Sequence, residues 1–364
     1  MQIKSLKLSN FRNHKKAEFE FSKKTLIIGQ NGSGKSNLLE AIYLLATGKS
    51  FKADRDAEMI SYGEVTANVE GTMNNVQLRI FLNSSKLFEV NGVARRLADF
   101  SGNLKAVLFG PSDLELITGS PSIRRRYLDF VLSQADREYH RCMISYEKGL
   151  RQRNKLLDRI REGVATRSQL YFWDKLLIKN GEYITNKRGE YLNRLNKPFN
   201  VENNAPSDPP LNLRGGGGSY GSNEKIIFQI NYDKSIISEI RLKQYEVEEV
   251  AAATTLVGPH RDDFTVEMNN RDVSKYGSRG EQRMAVMWLK QGELWYLSHF
   301  AEASRDAQLP VLLLDDIFSE LDHKHREEVE TEIEELVNDG GQVIMTTADI
   351  HNQPTDKEWN IIEL

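Results

Sequence analysis

Apolar and polar positions alternate from the start of the chain: Ile3, Leu6 and Leu8 sit among polar neighbours, Ala17 to Phe21 alternate again, and Leu26-Ile27-Ile28 is a short apolar run. A period of two places one strand face on a core, and a short unbroken run suits a strand covered on both sides. Three short strands are predicted. From Asn37 to Ala46 the period changes, with Leu38-Leu39, Ala41-Ile42 and Leu44-Leu45 at helical spacing, so strand, Gly-rich turn and helix follow in order. Val65 to Val69, Val76 to Leu82 and Lys86 to Val90 read as further strands. Asn74-Asn75 and Asn83-Ser84-Ser85 supply the turns between them, which predicts an antiparallel subsheet beside the first core.

The character changes after Gly110-Pro111. Residues 121–162 and 167–197 carry heptad-like apolar spacing, as in Tyr139, Met143, Tyr146, Leu150, Leu157 and Ile160, and read as helices. Residues 203–222, with Pro206, Pro209-Pro210 and Gly215 to Gly218, are too rich in turn formers to pack and are expected to form a flexible loop. Lys225 to Tyr232 then reads as a strand. Val311 to Leu314 and Val343 to Met345 read as buried parallel strands. The expected fold is α/β: a core lobe from residues 1–112 and 255–364, carrying an antiparallel subdomain, and an inserted, mostly helical lobe from 113–254.

Composition narrows the class without naming a function. With 364 residues, 39% apolar and 28% charged, the chain can build its own core. No apolar run approaches the roughly 18 residues of a membrane span, and the opening lacks the pattern of a leader, so a cytoplasmic protein with no membrane partner is expected. Cys142, the one cysteine, has no internal disulfide partner, and the seven histidines show no zinc-site spacing. The net charge of -3 confines any nucleic-acid affinity to local patches.

Gly29-Gln30-Asn31-Gly32-Ser33-Gly34-Lys35-Ser36 fits G-x-x-x-x-G-K-[ST] between a predicted strand and a predicted helix. Glycines let backbone N–H groups turn inward around phosphates, Lys35 reaches the β/γ oxygens, and Ser36 binds Mg²⁺. Val311 to Leu314 ends in Asp315-Asp316. A phosphate-binding core needs an acidic Mg²⁺ residue there, the role given to Asp315, and Asp316 is placed to polarise the attacking water. Gly277-Ser278-Arg279-Gly280-Glu281-Gln282-Arg283 opens a helical run to Trp295. Ser278 there either contacts a phosphate or only caps the helix. Ser319-Glu320-Leu321-Asp322 is a further phosphate-site element or only a turn.

In this order the four segments resemble the Walker A, signature, Walker B and D-loop of the ATP-binding cassette superfamily, with a P-loop ATPase core. The opening Leu6-Lys7-Leu8-Ser9-Asn10-Phe11-Arg12-Asn13 resembles the SMC and RecF group. Gly48 to Lys52, Phe109 to Leu114, Gly119-Ser120-Pro121, Arg124 to Asp129, Val257 to Phe264, Ser278 to Arg283 and Leu314 to Asp322 are similar to the RecF family. The resemblance covers nearly the whole chain apart from the Gly-rich insert. It implies ATP contacts from Arg12 and residues 29–36 and, across a dimer, from Ser278, Gly280 and Gln282. It also implies an ATP-dependent homodimer with weak, DNA-stimulated ATPase activity and binding to single-stranded and gapped DNA and to single-strand/double-strand junctions. Cooperation with RecR and RecO in loading RecA, in gap repair and the SOS response, is implied as well. The chain departs from the superfamily at Asp316, where most members carry Glu, and at Thr346-Thr347, where many carry a switch histidine. Both departures suggest slow hydrolysis.

Lys148, Arg151, Lys155 and Arg159 recur at three- and four-residue spacing, roughly opposite the apolar stripe. They form either a solvated face or, as the resemblance implies, a DNA contact. Arg124, Arg125 and Arg126 divide in the same way, between ion pairing at a helix start and a DNA or cross-dimer contact. A transporter ATPase module and a nucleotide-switched scaffold without DNA contact are the rival readings.

Overall fold

The computed structural model describes residues 2–197, 227–299, 309–319, 323–348 and 358–364. The expected loop at 203–222 lies outside the described residues, as do Glu320, Leu321 and Asp322. Two compact units form, one from Met1–Asp113 with Lys290–Leu364 and the other from Leu114–Leu289.

The chain opens with β1 (Ile3–Phe11), β2 (His14–Glu20), β3 (Lys24–Ile28), β4 (Ala67–Met73), β5 (Val76–Leu82), β6 (Lys86–Val90), β7 (Val93–Arg95) and β8 (Ala106–Phe109). The second unit contributes β9 (Phe228–Asp233), β10 (Asp263–Met268) and β11 (Arg271–Asp272). Then come β12 (Val311–Asp315), β13 (Gln342–Thr347) and β14 (Asn360–Glu363).

In the first unit, the antiparallel subsheet runs β2-β1-β4-β5-β6-β7. Along β4, buried and half-buried positions alternate strictly, the signature of one face turned to a core. The strand expected at 65–69 starts later, because Val65 is 81% exposed and pairing begins at Ala67. The second sheet runs β14-β3-β13-β12-β8, and each neighbouring pair is parallel. All six residues of β13 are buried, as are Val311 to Leu314 in β12, as expected for strands covered on both faces. In such a sheet, ligands meet the carboxyl ends of the strands. Both the turn after β3 and the end of β12 lie there.

The second unit is built on helices Pro121–Ala135, Arg137–Arg161 and Tyr171–Asn196 with the sheet β11-β10-β9. The helical stretch expected at 121–162 breaks at Asp136, whose carboxylate accepts from the Tyr139 N–H at 2.9 Å, a cap that starts the next helix. Arg188 is fully buried and pairs with Asp129 at 2.8 Å and Asp262 at 3.0 Å, so its charge is not left unpaired in the core. The chain returns to the first unit at Lys290, and residues 255–289 stay with the helical unit because β10 pairs along its whole length with β9. Residues 277–283, expected to be the signature segment, therefore belong to the helical unit. The division by contacts thus falls after Leu289, where the sequence reading placed it at 255.

Candidate functional site

The phosphate loop lies between β3 and helix Lys35–Thr47. Gly34 caps that helix at φ 112, and a Cβ there would come within 2.6–2.7 Å of the Asn13 and His14 side chains. Only glycine meets both demands without strain. The same two side chains hold the loop from outside. Asn13 donates to the Ser33 carbonyl at 2.8 Å, and His14 Nε2 lies 3.4 Å from the Gly34 carbonyl. They sit at the tip and foot of the β1–β2 hairpin, where Phe11 pairs with His14. Burial lowers the His14 pKa against the opposing bond to Gly34, which favours the neutral ring.

Lys35 is 7% exposed, and its ammonium donates to the carbonyls of Gly29 at 2.6 Å and Gln30 at 3.0 Å. It is thus folded over the loop mouth. The Ser33 hydroxyl is buried with no hydrogen-bond partner among the described residues, an orphan that an added acceptor would satisfy. Ser36 Oγ donates to Asp315 Oδ1 at 2.8 Å, and Thr346 Oγ1 donates to the same oxygen at 2.8 Å. The ends of β12 and β13 and the start of the phosphate-loop helix thus converge on one carboxylate. Gly110, after β8, lies close to it, since a Cβ there would stand 3.2 Å from Asp315 Cβ.

Asp316 has φ 52, and its N–H is held by Thr346 through the carbonyl at 3.2 Å and the hydroxyl at 3.1 Å. Such a φ is uncommon outside glycine, and Asp and Asn are among the side chains that tolerate it. Burial raises the Asp316 pKa, with Asp315 adding to the rise, while bonds from Ala348 and Ser319 and the charge of Lys35 oppose it. Ser319 also donates to the Asp316 carbonyl at 2.7 Å. Thr346 is therefore the residue that stands beside the carboxylate pair.

Arg12, expected to contact ATP, is held by protein acceptors. Its Nε and Nη2 grip buried Glu40 at 2.8 and 2.6 Å, and Nη1 donates to the Glu58 carbonyl at 2.7 Å. This bidentate pair, joined by Ser50 donating to Glu40, ties the end of β1 to the phosphate-loop helix. All three guanidinium nitrogens are engaged by protein acceptors, and a nucleotide would have to share them. Glu40, Asn13 and His14 escape a reading of the sequence because a polar residue inside a helix or hairpin shows its partner only after folding.

Ser278, Gly280 and Gln282 stand at the start of helix Arg279–His299, in the second unit. The Ser278 N–H donates to Glu281 Oε2 at 2.6 Å, and the Glu281 N–H donates to Ser278 Oγ at 3.3 Å, a reciprocal capping box. Gln282 donates to the Val273 and Gly277 carbonyls at 3.4 and 3.2 Å. Helix capping is thus realised, with Ser278 and Gly280 still exposed.

The basic candidates separate into two groups. Arg124 is buried, gripping Asp263 at 2.6 and 2.8 Å and the Gly119 carbonyl at 2.7 Å. Arg125 donates to the Asp262 carbonyl at 2.7 Å, and Arg126 is exposed. Arg124 is thus held in an ion pair and Arg125 by a backbone carbonyl, both within the helical unit. Lys148, Arg151, Lys155 and Arg159 are all exposed and make no ion pair among the described residues. No described helix is long and apolar enough to cross a membrane.

The family model RecF/RecN/SMC N terminal domain matches residues 2–357. The chain is 34% identical over 376 residues to the DNA replication and repair protein RecF of Lachnoclostridium phytofermentans, covering 100% of this chain and 98% of that protein. Its identity to the same-named protein of Heliobacterium modesticaldum is 36% over 370 residues, covering 96% and 93%. A solved structure of the recombination mediator protein RecF with ATP, in the RecFOR pathway, matches with a TM-score of 0.82 at 31% identity, covering 98% of this chain and 93% of that one. With the hairpin-braced phosphate loop and the Ser36–Asp315 pair set in a fold shared along almost its whole length, the chain belongs to the RecF family of DNA replication and repair proteins.

Proposed function

We propose that the chain binds ATP with Mg²⁺ at residues 29–36, hydrolyses it slowly, and uses ATP-held dimers to bind DNA at gaps during replication and recombinational repair. The observation that carries this reading is the 2.8 Å bond between Ser36 Oγ and Asp315 Oδ1, which brings the two expected Mg²⁺ ligands to one point. Ser36 and Asp315 would hold the ion, which when bound offsets phosphate charge. The orphaned Ser33 hydroxyl and the inward-folded Lys35 fit a phosphate at the loop. Lys35 exchanges its carbonyl partners for phosphate oxygens. Asp316 accepts a hydrogen bond from the attacking water. The solved relative described as RecF-ATP supports ATP as the nucleotide.

Exposed Ser278 and Gly280 at a helix start suit a γ-phosphate presented by a second copy. Ser278→Arg should therefore abolish ATP-dependent dimerisation while each monomer still binds ATP. Sedimentation with and without ATP reads this, and dimers that persist in the variant rule out the cross-subunit contact.

The exposed stripe of Lys148, Arg151, Lys155 and Arg159, free of ion pairs among the described residues, is the DNA surface in this reading, and exposed Arg126 is the next candidate. Every cation that no longer neutralises a phosphate flattens the dependence of log affinity on log salt by about 0.9. Changing Arg151, Lys155 and Arg159 together to Glu is expected to flatten the slope for gapped DNA by up to about 3 units and to weaken binding, with nucleotide affinity unchanged. Parental affinity and slope in that variant make the face an ordinary solvated one and leave the scaffold reading standing. Cooperation with RecR and RecO in loading RecA belongs to the same proposal and would be seen as RecA filament growth on gapped DNA.

A further inference from the structure

Helices Arg137–Arg161 and Tyr171–Asn196 form an antiparallel hairpin: Gly149 packs on Leu176 and Leu177, and Arg153 pairs with Asp174 at 2.7 Å. That register brings Lys155 and Arg159 to the same end as the start of the second helix. The turn is firmly built. Thr166 and Gln169 form a capping box, with the Thr166 N–H donating to Gln169 Oε1 at 3.1 Å, and Arg167 pairs with Glu246 at 2.8 Å. At this fixed end Tyr171 and Phe172 are each 62% exposed. Phe172 meets Trp173 edge-on with 4.9 Å between centroids, and Lys175 lies over the Tyr171 ring at 4.4 Å. Despite these contacts, the two neighbouring rings at the start of this helix leave most of their surface in solvent.

We propose that Tyr171 and Phe172 form a stacking platform for the unpaired bases of single-stranded DNA whose phosphates follow the stripe through Lys155 and Arg159. Aromatic rings beside exposed cations are the chemistry of single-strand recognition, because every base offers a face to stack on while the backbone needs only positive charge. Lys175, poised on the Tyr171 ring, adds a cation at the same place. The platform makes no use of base identity, which suits a protein acting at any gap. It rests on the DNA-binding reading of the basic stripe, and it gives that surface a means to distinguish a single strand from a duplex, whose bases are already stacked.

The test measures binding of the full chain, with ATP, to an oligothymidine, to an abasic strand of equal length, and to a duplex. The parental chain should prefer oligothymidine to the abasic strand by about tenfold. Tyr171→Ala with Phe172→Ala should erase that preference and leave duplex affinity unchanged, while Tyr171→Phe should retain it. The platform is overturned if the double variant keeps the preference, or if it weakens all three ligands equally, as mere damage to local structure would. The Arg151, Lys155 and Arg159 to Glu variant separates the two readings. If that variant loses all three ligands while the aromatic variant loses nothing, the platform alone fails. Unchanged binding in the charge variant removes the stripe and the platform together.

Discussion

Asn in place of Asp316 is expected to lower ATP turnover by about 10²- to 10⁴-fold, the range associated with a positioned general base, while ATP affinity holds. The substitution removes charge and keeps shape. Asn tolerates the φ of 52 found at this position, and the backbone N–H keeps its two bonds to Thr346. Asp315 stays bonded to Ser36 and Thr346, so the proposed Mg²⁺ ligands remain in place. Phosphate release measured beside equilibrium nucleotide binding separates the two effects. Turnover near the parental rate in the variant removes Asp316 as the base.

Lys35→Ala should act earlier, on binding itself. The ammonium is buried over the loop and held by two carbonyls, and a charge-assisted bond to phosphate is worth about 1.5–3 kcal/mol. Affinity should therefore fall by about 10- to 100-fold, and the ATP-dependent dimer and its DNA binding should fall with it. Titration calorimetry with a slowly hydrolysed ATP analogue reads the drop in affinity. Unchanged affinity contradicts the phosphate-loop assignment. The two variants thus divide the site into a part that binds and a part that acts.

The parts of this site built by contiguous residues are legible before folding. Strand, glycine turn and helix around Gly29 to Ser36 are written in periodicity, and the apolar run ending in Asp315-Asp316 announces a buried strand with acid at its carboxyl end. What stays hidden depends on long-range pairing. The bond from Ser36 to Asp315 spans 279 positions, and that from Thr346 to Asp315 spans 31. Asn13 enters only through the opening resemblance and His14 not at all, because their hold on the loop appears once the β1–β2 hairpin lies against it. The short strands β8 and β14, four residues each, carry too few positions to establish a period. β10 escapes notice too, and with it the fact that residues 255–289 belong to the helical unit through pairing with β9. Arg124 shows the converse: a cation cluster cannot reveal in sequence that one member is committed to Asp263 across 139 positions.

If ATP at residues 29–36 switches DNA binding on, the affinity of the full chain for gapped DNA at fixed salt must follow the nucleotide. Three conditions decide it: no nucleotide, ATP with Mg²⁺, and ADP. Tight binding is expected with ATP only, strengthened further in Asp316→Asn because the bound nucleotide is not consumed, and absent in Lys35→Ala. Equal affinity in all three conditions, or full binding by Lys35→Ala, contradicts the switch.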